Sequence, residues 1–270
     1  MIGSLAKLVS FQYNDRPMHD SVYELHTYWV KFLHDYYHRV EHVGRVKEVL
    51  NIARKENVVL ISQHSITLEA VLINYFLFKN NAGKAGTLVY PEAFKLPLVR
   101  ELFRSGQCVP ISIPAGAATL SQRHILVFPE GMDFISGLAN PDRVPRFHKG
   151  FLRMAKKFLE DTGKKSIHII PIGHAGVENT LKLWVIKNQT LLDIFVRPFV
   201  DYPFLVLPKI PFLLPRKVIM NWGMPTKVTL EDLKNERKIA QKANYFRAAL
   251  LALKTRAQKV REMGTAVRGD

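Results

Sequence analysis

From Val22 to Leu50, apolar and aromatic side chains recur at helical spacing: Val22, Leu25, Trp29, Phe32, Leu33, Tyr36, Val40, Val43 and Val46. Lys31, His34, His38, Arg39 and Lys47 fill much of the remainder. A period of this kind predicts one long amphipathic helix, or two joined near Gly44, with the apolar stripe packed on the domain core. Trp29 and the neighbouring tyrosines would also suit a membrane interface, where the aromatic body is buried and the polar tip stays wet. His34, His38 and His42 stand at intervals of four on such a helix. Set among Arg39 and Lys47, they read as a solvated or interfacial face rather than as metal ligands.

From Asn57 the rhythm changes. Val58–Ser62, Gly86–Tyr90, Gln107–Ile113, His124–Phe128 and Ser166–Ile172 predict strands, and Thr67–Lys79, Phe94–Ser105 and Phe147–Glu160 predict helices. Strands alternating with helices imply an α/β fold, a single domain with a mostly parallel central sheet flanked by helices. Leu192–Val200 and Arg216–Trp222 predict two further strands. Between them, Tyr202–Pro215 carries four prolines and reads as an extended surface segment. Leu230–Arg261 predicts a closing basic helix. The chain thus divides into an N-terminal amphipathic helical segment over 1–55, an α/β domain over 56–228, and a C-terminal basic helix over 229–270 that packs on the domain or extends it.

Composition narrows the setting. The 270 residues are 47% hydrophobic, 10% aromatic and 23% charged, the make-up of a chain with a substantial core rather than a disordered or fibrous one. Lys and Arg number 39 against 23 Asp and Glu, giving +16 and a pI near 9.9. Such an excess points to a polyanionic partner, whether nucleic acid, an anionic membrane or an acidic carrier. No helix-turn-helix, zinc-finger or RNA-recognition signature speaks for nucleic acid, so the charge is assigned to an anionic membrane surface. The one cysteine, Cys108, excludes an internal disulfide and a Cys-rich zinc site, and reads as a small buried hydrophobe in a reducing compartment. No apolar run approaches the ~18–20 residues of a membrane span, and residues 1–13 lack a signal-peptide pattern. A cytoplasmic protein, peripheral on the cytoplasmic face of a membrane, is expected.

Two blocks carry chemistry. In Ser62-Gln63-His64-Ser65-Ile66-Thr67-Leu68-Glu69, His64 and Glu69 are five apart, a rotation of about 500° that would separate them on one helix. They meet if His64 lies in the turn before the helix and Glu69 reaches back from its first turns. Glu69 would then select the tautomer that leaves the other ring nitrogen of His64 free as a general base. Ser65 is adjacent but sits in no Gly-x-Ser-x-Gly elbow, which speaks against a serine nucleophile. In the second block, Phe128-Pro129-Glu130-Gly131 follows an apolar strand, placing Glu130 at the carboxyl edge of the sheet, where ligands of open α/β folds bind.

In this order the two blocks resemble the glycerolipid, or lysophospholipid, acyltransferase family. His64 and Glu69 match its His-x4-Asp motif, with Glu for Asp, and Phe128–Gly131 match its Phe-Pro-Glu-Gly signature in full. Phe147-His148-Lys149-Gly150-Phe151 is similar to its Phe-Lys-x-Gly segment, Ile169–Ile172 to its proline-bearing strand, and Val218–Pro225 to its terminal strand ending in Gly-x-Pro. The resemblance implies transfer of a fatty acyl group from acyl-CoA or acyl carrier protein, as co-substrate and with no metal or other cofactor, to a glycerolipid hydroxyl. His64 is then the base and Glu69 its orienting partner, with Phe128, Pro129, Glu130 and Gly131 contacting substrate and backbone N–H groups near Gly131 stabilising the oxyanion. Two departures bear on the acceptor: Met132-Asp133 replaces the usual Thr-Arg, and Gln107–Gly116 lacks the family's phosphate-binding arginine. Arg143, Arg146 and Lys149 are candidate substitutes. The acceptor is accordingly a lysophospholipid or glycerol phosphate, or alternatively a neutral partial glyceride or long-chain alcohol. A non-catalytic lipid-binding relative is the remaining alternative.

Overall fold

A computed structural model describes residues 28–65, 68–91, 107–131, 147–181, 183–186, 205–209 and 213–266, with the single positions 94, 103 and 190. Its strands are β1 (Val40–Gly44), β2 (Val59–Ser62), β3 (Ala85–Val89), β4 (Cys108–Pro110), β5 (His124–Val127), β6 (Ser166–Ala175), β7 (Leu183–Ile186), β8 (Leu205–Pro208), β9 (Val218–Trp222) and β10 (Thr226–Thr229). Its main helices are α1 (Val46–Ala53), α2 (Leu68–Lys79), α3 (Ile113–Gln122), α4 (Gly150–Thr162) and α5 (Glu236–Ala266). The central sheet runs β1-β9-β6-β2-β5-β3-β4, with β10 beside the first half of β6. The block from β4 to β6 is parallel throughout, whereas β9 and β10 return antiparallel to β6. β7 and β8 form a separate antiparallel pair.

The sheet is covered on both faces, which is why its central strands are runs of Val, Ile and Leu. Side chains alternate along β2 and β5. Val59, Ile61, Ile125 and Val127 pack with Leu152, Ala155 and Phe158 of α4 and Phe246 and Leu250 of α5. Leu60 and Leu126 face the other way, beneath Val49 and Leu50 of α1 and Leu72, Ile73 and Phe76 of α2. At about 1.5–3 kcal/mol for each large apolar side chain fully removed from water, these two layers are the main stabilising term. α5 approaches β6 at Gly173, where a Cβ would stand 2.5 Å from the backbone of Leu253 and Lys254.

The N-terminal segment departs from the predicted helix. Residues 28–37 are helical, ending in a π-helical turn at Leu33–Tyr37, but Val40–Gly44 is an edge strand parallel to β9. Arg39 and Gly44 bracket it with positive φ, and a Cβ on Gly44 would lie 2.3 Å from the Trp222 carbonyl oxygen. The backbone therefore breaks at both ends, and pairing with β9 satisfies its polar groups. The helical spacing of Val40 and Val43 was coincidental. The aromatic stripe also splits, with Val30 and Leu33 buried and Tyr28, Trp29, Phe32 and Tyr36 exposed.

The three histidines are not a solvated face. His34 and His38 are buried, and burial pushes the His42 ring down to about 3. Trp222 Nε1–H donates to His42 Nδ1 at 2.9 Å, so His42 donates from Nε2 to His34 Nε2 at 2.8 Å. His34 in turn donates from Nδ1 to Asp35 Oδ1, also at 2.8 Å. His42, His34 and Asp35 of this one-way chain line a cavity of about 390 Å³, and the Trp222 end ties the N-terminal segment to the sheet. Among the described residues, no group of three or more His, Cys, Asp or Glu side chains could hold a metal ion.

Further along, the predicted strand at Gln107–Ile113 is shorter, ending at Pro110. Ser112 then caps α3, accepting the Ala115 N–H at 3.1 Å, with proline in the first turn. Part of the predicted extended segment at Tyr202–Pro215 is strand β8. The closing helix starts at Glu236, after a 3₁₀ turn at Glu231–Leu233, and packs on β6 and β9. Phe94–Ser105 falls almost wholly, and Leu192–Val200 entirely, outside the described residues. No helix among the described residues is long and apolar enough to cross a membrane.

Candidate active site

β2 and β5 are adjacent parallel strands in register at Ile61 and Val127, so the turns that follow them emerge side by side at the carboxyl edge of the sheet. One turn carries His64 and the other carries Phe128–Gly131. The next element, α2, begins at Leu68 and puts Glu69 in its first turn. Helical side chains lean toward the N-terminus, so Glu69 points back over the turn.

Glu69 is fully buried, and its Oε1 accepts from His64 Nδ1 at 2.5 Å and from the Ser65 N–H at 2.8 Å. Burial by itself would raise this carboxyl. The charge and hydrogen bond of His64, with smaller help from His174 and the Ser65 N–H, overcome that and hold it at about 2. A carboxylate only accepts, so Nδ1 carries the proton and Nε2 presents its lone pair. The helix N-terminus adds a further favourable field for the anion. The His64 ring stacks on Phe128, with centroids 4.6 Å apart and planes 23° from parallel, and its side chain retains 18% exposure. Together these contacts hold the His64 imidazole in one orientation at a partly open surface.

Glu130 takes a different role from Glu69. Its Oε2 accepts the His64 backbone N–H at 3.2 Å, so it steadies the turn that carries the ring. Burial pushes its carboxyl up to about 7; the His64 N–H, the His64 ring and Lys254 oppose the rise, and Glu69 adds to it. The rest of this turn is pinned by His148, just before α4. The Pro129 carbonyl accepts the His148 N–H at 2.7 Å, and Gly131, at φ +53°, faces the His148 ring so closely that a Cβ would stand 3.0 Å from it.

The Gly131 N–H donates to the Phe128 carbonyl at 3.1 Å. That donor closes the turn and is not available to an oxyanion. Lys149 lies 3.4 Å from Glu236, an exposed carboxylate on α5, which also takes Arg153. Its charge is therefore already engaged. Arg143 and Arg146 lie outside the described residues.

Two residues at the site had no signal in the sequence. Gln63 Nε2 donates to the His174 carbonyl oxygen, and His174 Nε2 donates to the Gln63 carbonyl oxygen, both at 3.0 Å. A histidine in an apolar strand reads as structural until the partner strand is known. Cys108 is buried, as its apolar surroundings imply, and burial pushes its thiol up to about 12.

Comparison with known proteins gives the same reading. Residues 44–175 match the sequence model of the Acyltransferase family, a span that holds β2, α2, β5 and the whole of the site. No curated protein matches the sequence. Among solved structures, the crystal structure of the 1-acyl-sn-glycerophosphate (LPA) acyltransferase PlsC from Thermotoga maritima shares the fold at a TM-score of 0.53 and 15% identity. The alignment covers 89% of this chain and 80% of that one. Residues 44–175 thus carry a domain of the acyltransferase family, with both motif turns inside it, on a mostly parallel α/β sheet.

Proposed function

We propose that the protein moves a fatty acyl group from a thioester, acyl-CoA or acyl carrier protein, to a hydroxyl of a glycerolipid of the lysophospholipid or glycerol phosphate type. The observation that carries this is the His64–Glu69 contact at 2.5 Å, which fixes a partly exposed ring through Nδ1 and makes Nε2 the nitrogen that takes the proton. In this reading the acceptor hydroxyl loses its proton to His64 Nε2 as its oxygen attacks the thioester carbonyl. The tetrahedral intermediate then collapses, breaking the carbon–sulfur bond and releasing the thiolate, which the imidazolium reprotonates. Glu69 holds the tautomer and stabilises the transient positive ring. The step balances with no cofactor beyond the co-substrate thioester. A glycerolipid acceptor is supported by the fold neighbour, an enzyme that acts on 1-acyl-glycerophosphate.

A neutral acceptor, a partial glyceride or long-chain alcohol, is the second reading. It is favoured by the engagement of Lys149 with Glu236 and by the absence of arginine from 107–116. Work at the cytoplasmic face of an anionic membrane is supported by the +16 charge and by Tyr28, Trp29 and Tyr36, exposed by 70%, 60% and 69% beside Lys31. The test is a screen with radiolabelled palmitoyl-CoA and palmitoyl-acyl carrier protein against lysophosphatidate, glycerol 3-phosphate, monoacylglycerol and hexadecanol, resolved by thin-layer chromatography. Product from the phosphate-bearing acceptors supports the first reading, and product from the neutral ones alone the second. No product with any pair overturns both.

A further inference from the structure

The peptide group between Gln63 and His64 is held at both of its polar atoms. On one side, the Gln63 carbonyl oxygen accepts from His174 Nε2 at 3.0 Å. On the other, the His64 N–H donates to Glu130 at 3.2 Å. The Gln63 side chain answers the first contact by donating to the His174 carbonyl oxygen, also at 3.0 Å. The main-chain ladder between β2 and β6 ends at the pair Ser62 and Ile172. The reciprocal side-chain bonds of Gln63 and His174 carry the connection past that end, up to the residue bearing the candidate base.

His174 is fully buried, and the residue before it, Gly173, is the point where α5 presses on β6. Its Nε2 faces a carbonyl oxygen and must carry a proton; its Nδ1 makes no hydrogen bond among the described residues. Glu178 Oε2 stands 4.0 Å from Nδ1, and the one hydrogen bond that the ring gives to the turn bearing His64 is its Nε2–H. A turn lacking that donor would let the His64 ring drift, and a misplacement of about 1 Å can cost about 100-fold in rate.

From this geometry we infer that His174 is a positioning residue for acyl transfer, fixing the backbone that carries His64 through the Gln63 carbonyl. The inference rests on the reading of His64 as the base. Glutamine at 174 puts its own N–H where the imidazole Nε2–H stands, whereas methionine fills the space and cannot donate.

The experiment measures turnover with palmitoyl-CoA and the best acceptor of the screen for His174→Met, His174→Gln and Gln63→Met. His174→Met is also measured in a His64→Ala background, and each variant's melting temperature is recorded. His174→Met is expected to lose about 10- to 100-fold in kcat with KM for both substrates within about twofold. His174→Gln is expected to stay within about threefold of wild type, and His174→Met to lower the residual rate of His64→Ala no further. Wild-type kcat in His174→Met overturns the inference. So does an equal loss in the His64→Ala background, or a His174→Gln protein that melts like wild type yet is as slow as His174→Met. If His174→Met does not fold, Gln63→Met stands in for it, with a loss of at least about fivefold in kcat expected and an unchanged kcat overturning the inference. Full activity in His64→Ala is a separate outcome, which defeats the reading of the base itself.

Discussion

Glu130 sits almost fully buried beside a second carboxylate, and its protonation is the part of the site that pH addresses most directly. In the unfolded chain this group titrates near 4.5, and in the fold burial raises it to about 7. The native state thus binds this proton more tightly than the unfolded chain does. Its contribution to stability is complete below pH 4.5 and is lost as pH rises through 7. At about 1.4 kcal/mol per pH unit, the displacement is worth about 3 kcal/mol. Glu130→Gln carries no charge at any pH and keeps an oxygen for the His64 N–H. Urea unfolding of both proteins at pH 4 and pH 8 measures the difference. The variant is expected to gain about 3 kcal/mol relative to wild type between those two values, while its turnover at pH 8 stays within about threefold. Glu130→Ala removes the acceptor, leaves a buried N–H unpaired, and is expected to cost about 1–3 kcal/mol. A pH-independent stability difference for the Gln variant refutes the burial argument. A folded Gln variant without turnover refutes the backbone-holding role and puts Glu130 in the proton chemistry.

Glu69 titrates in the opposite sense. Its carboxyl is depressed from 4.5 to about 2, so its contribution is present above pH 4.5 and lost as pH falls through 2. Glu69→Gln is expected to lower kcat on the order of 10³- to 10⁴-fold and to flatten the acid limb of the unfolding curve between pH 4.5 and 2. Gly173→Ala drives a Cβ to 2.5 Å from the backbone of α5 and is expected to lower stability by about 1–3 kcal/mol, read by urea denaturation. An unchanged midpoint would show that α5 does not bear on the sheet there.

The strands from Val58 to Ile172, and the helices at Thr67–Lys79 and Phe147–Glu160, were legible because buried parallel strands are continuous apolar runs, and these stand out against the flanking turns. The His64–Glu69 pair was legible for a geometric reason, since a spacing of five can close only across a helix start. Glu130 at a strand's carboxyl end followed from the same alternation. The edge strand Val40–Gly44 was hidden, because its valines happen to fit a helical period and its pairing with β9 is distant in sequence. α3 was hidden behind an apolar stretch, although Ser112 and Pro114 carried the start signal. The Gln63–His174 bonds could not be read at all: they depend on which strand lies beside β2. The involvement of the Gly131 N–H in closing its own turn likewise requires the turn's conformation.

The claim that the rest depends on is that His64 Nε2 accepts the proton of the attacking hydroxyl. The direct measurement is single-turnover acyl transfer from radiolabelled palmitoyl-CoA in wild type and His64→Ala, with folding checked by near-ultraviolet circular dichroism. The variant is expected to bind both substrates with near wild-type affinity and to transfer at least about 10³-fold more slowly. Transfer at the wild-type rate by a folded His64→Ala protein would contradict the account.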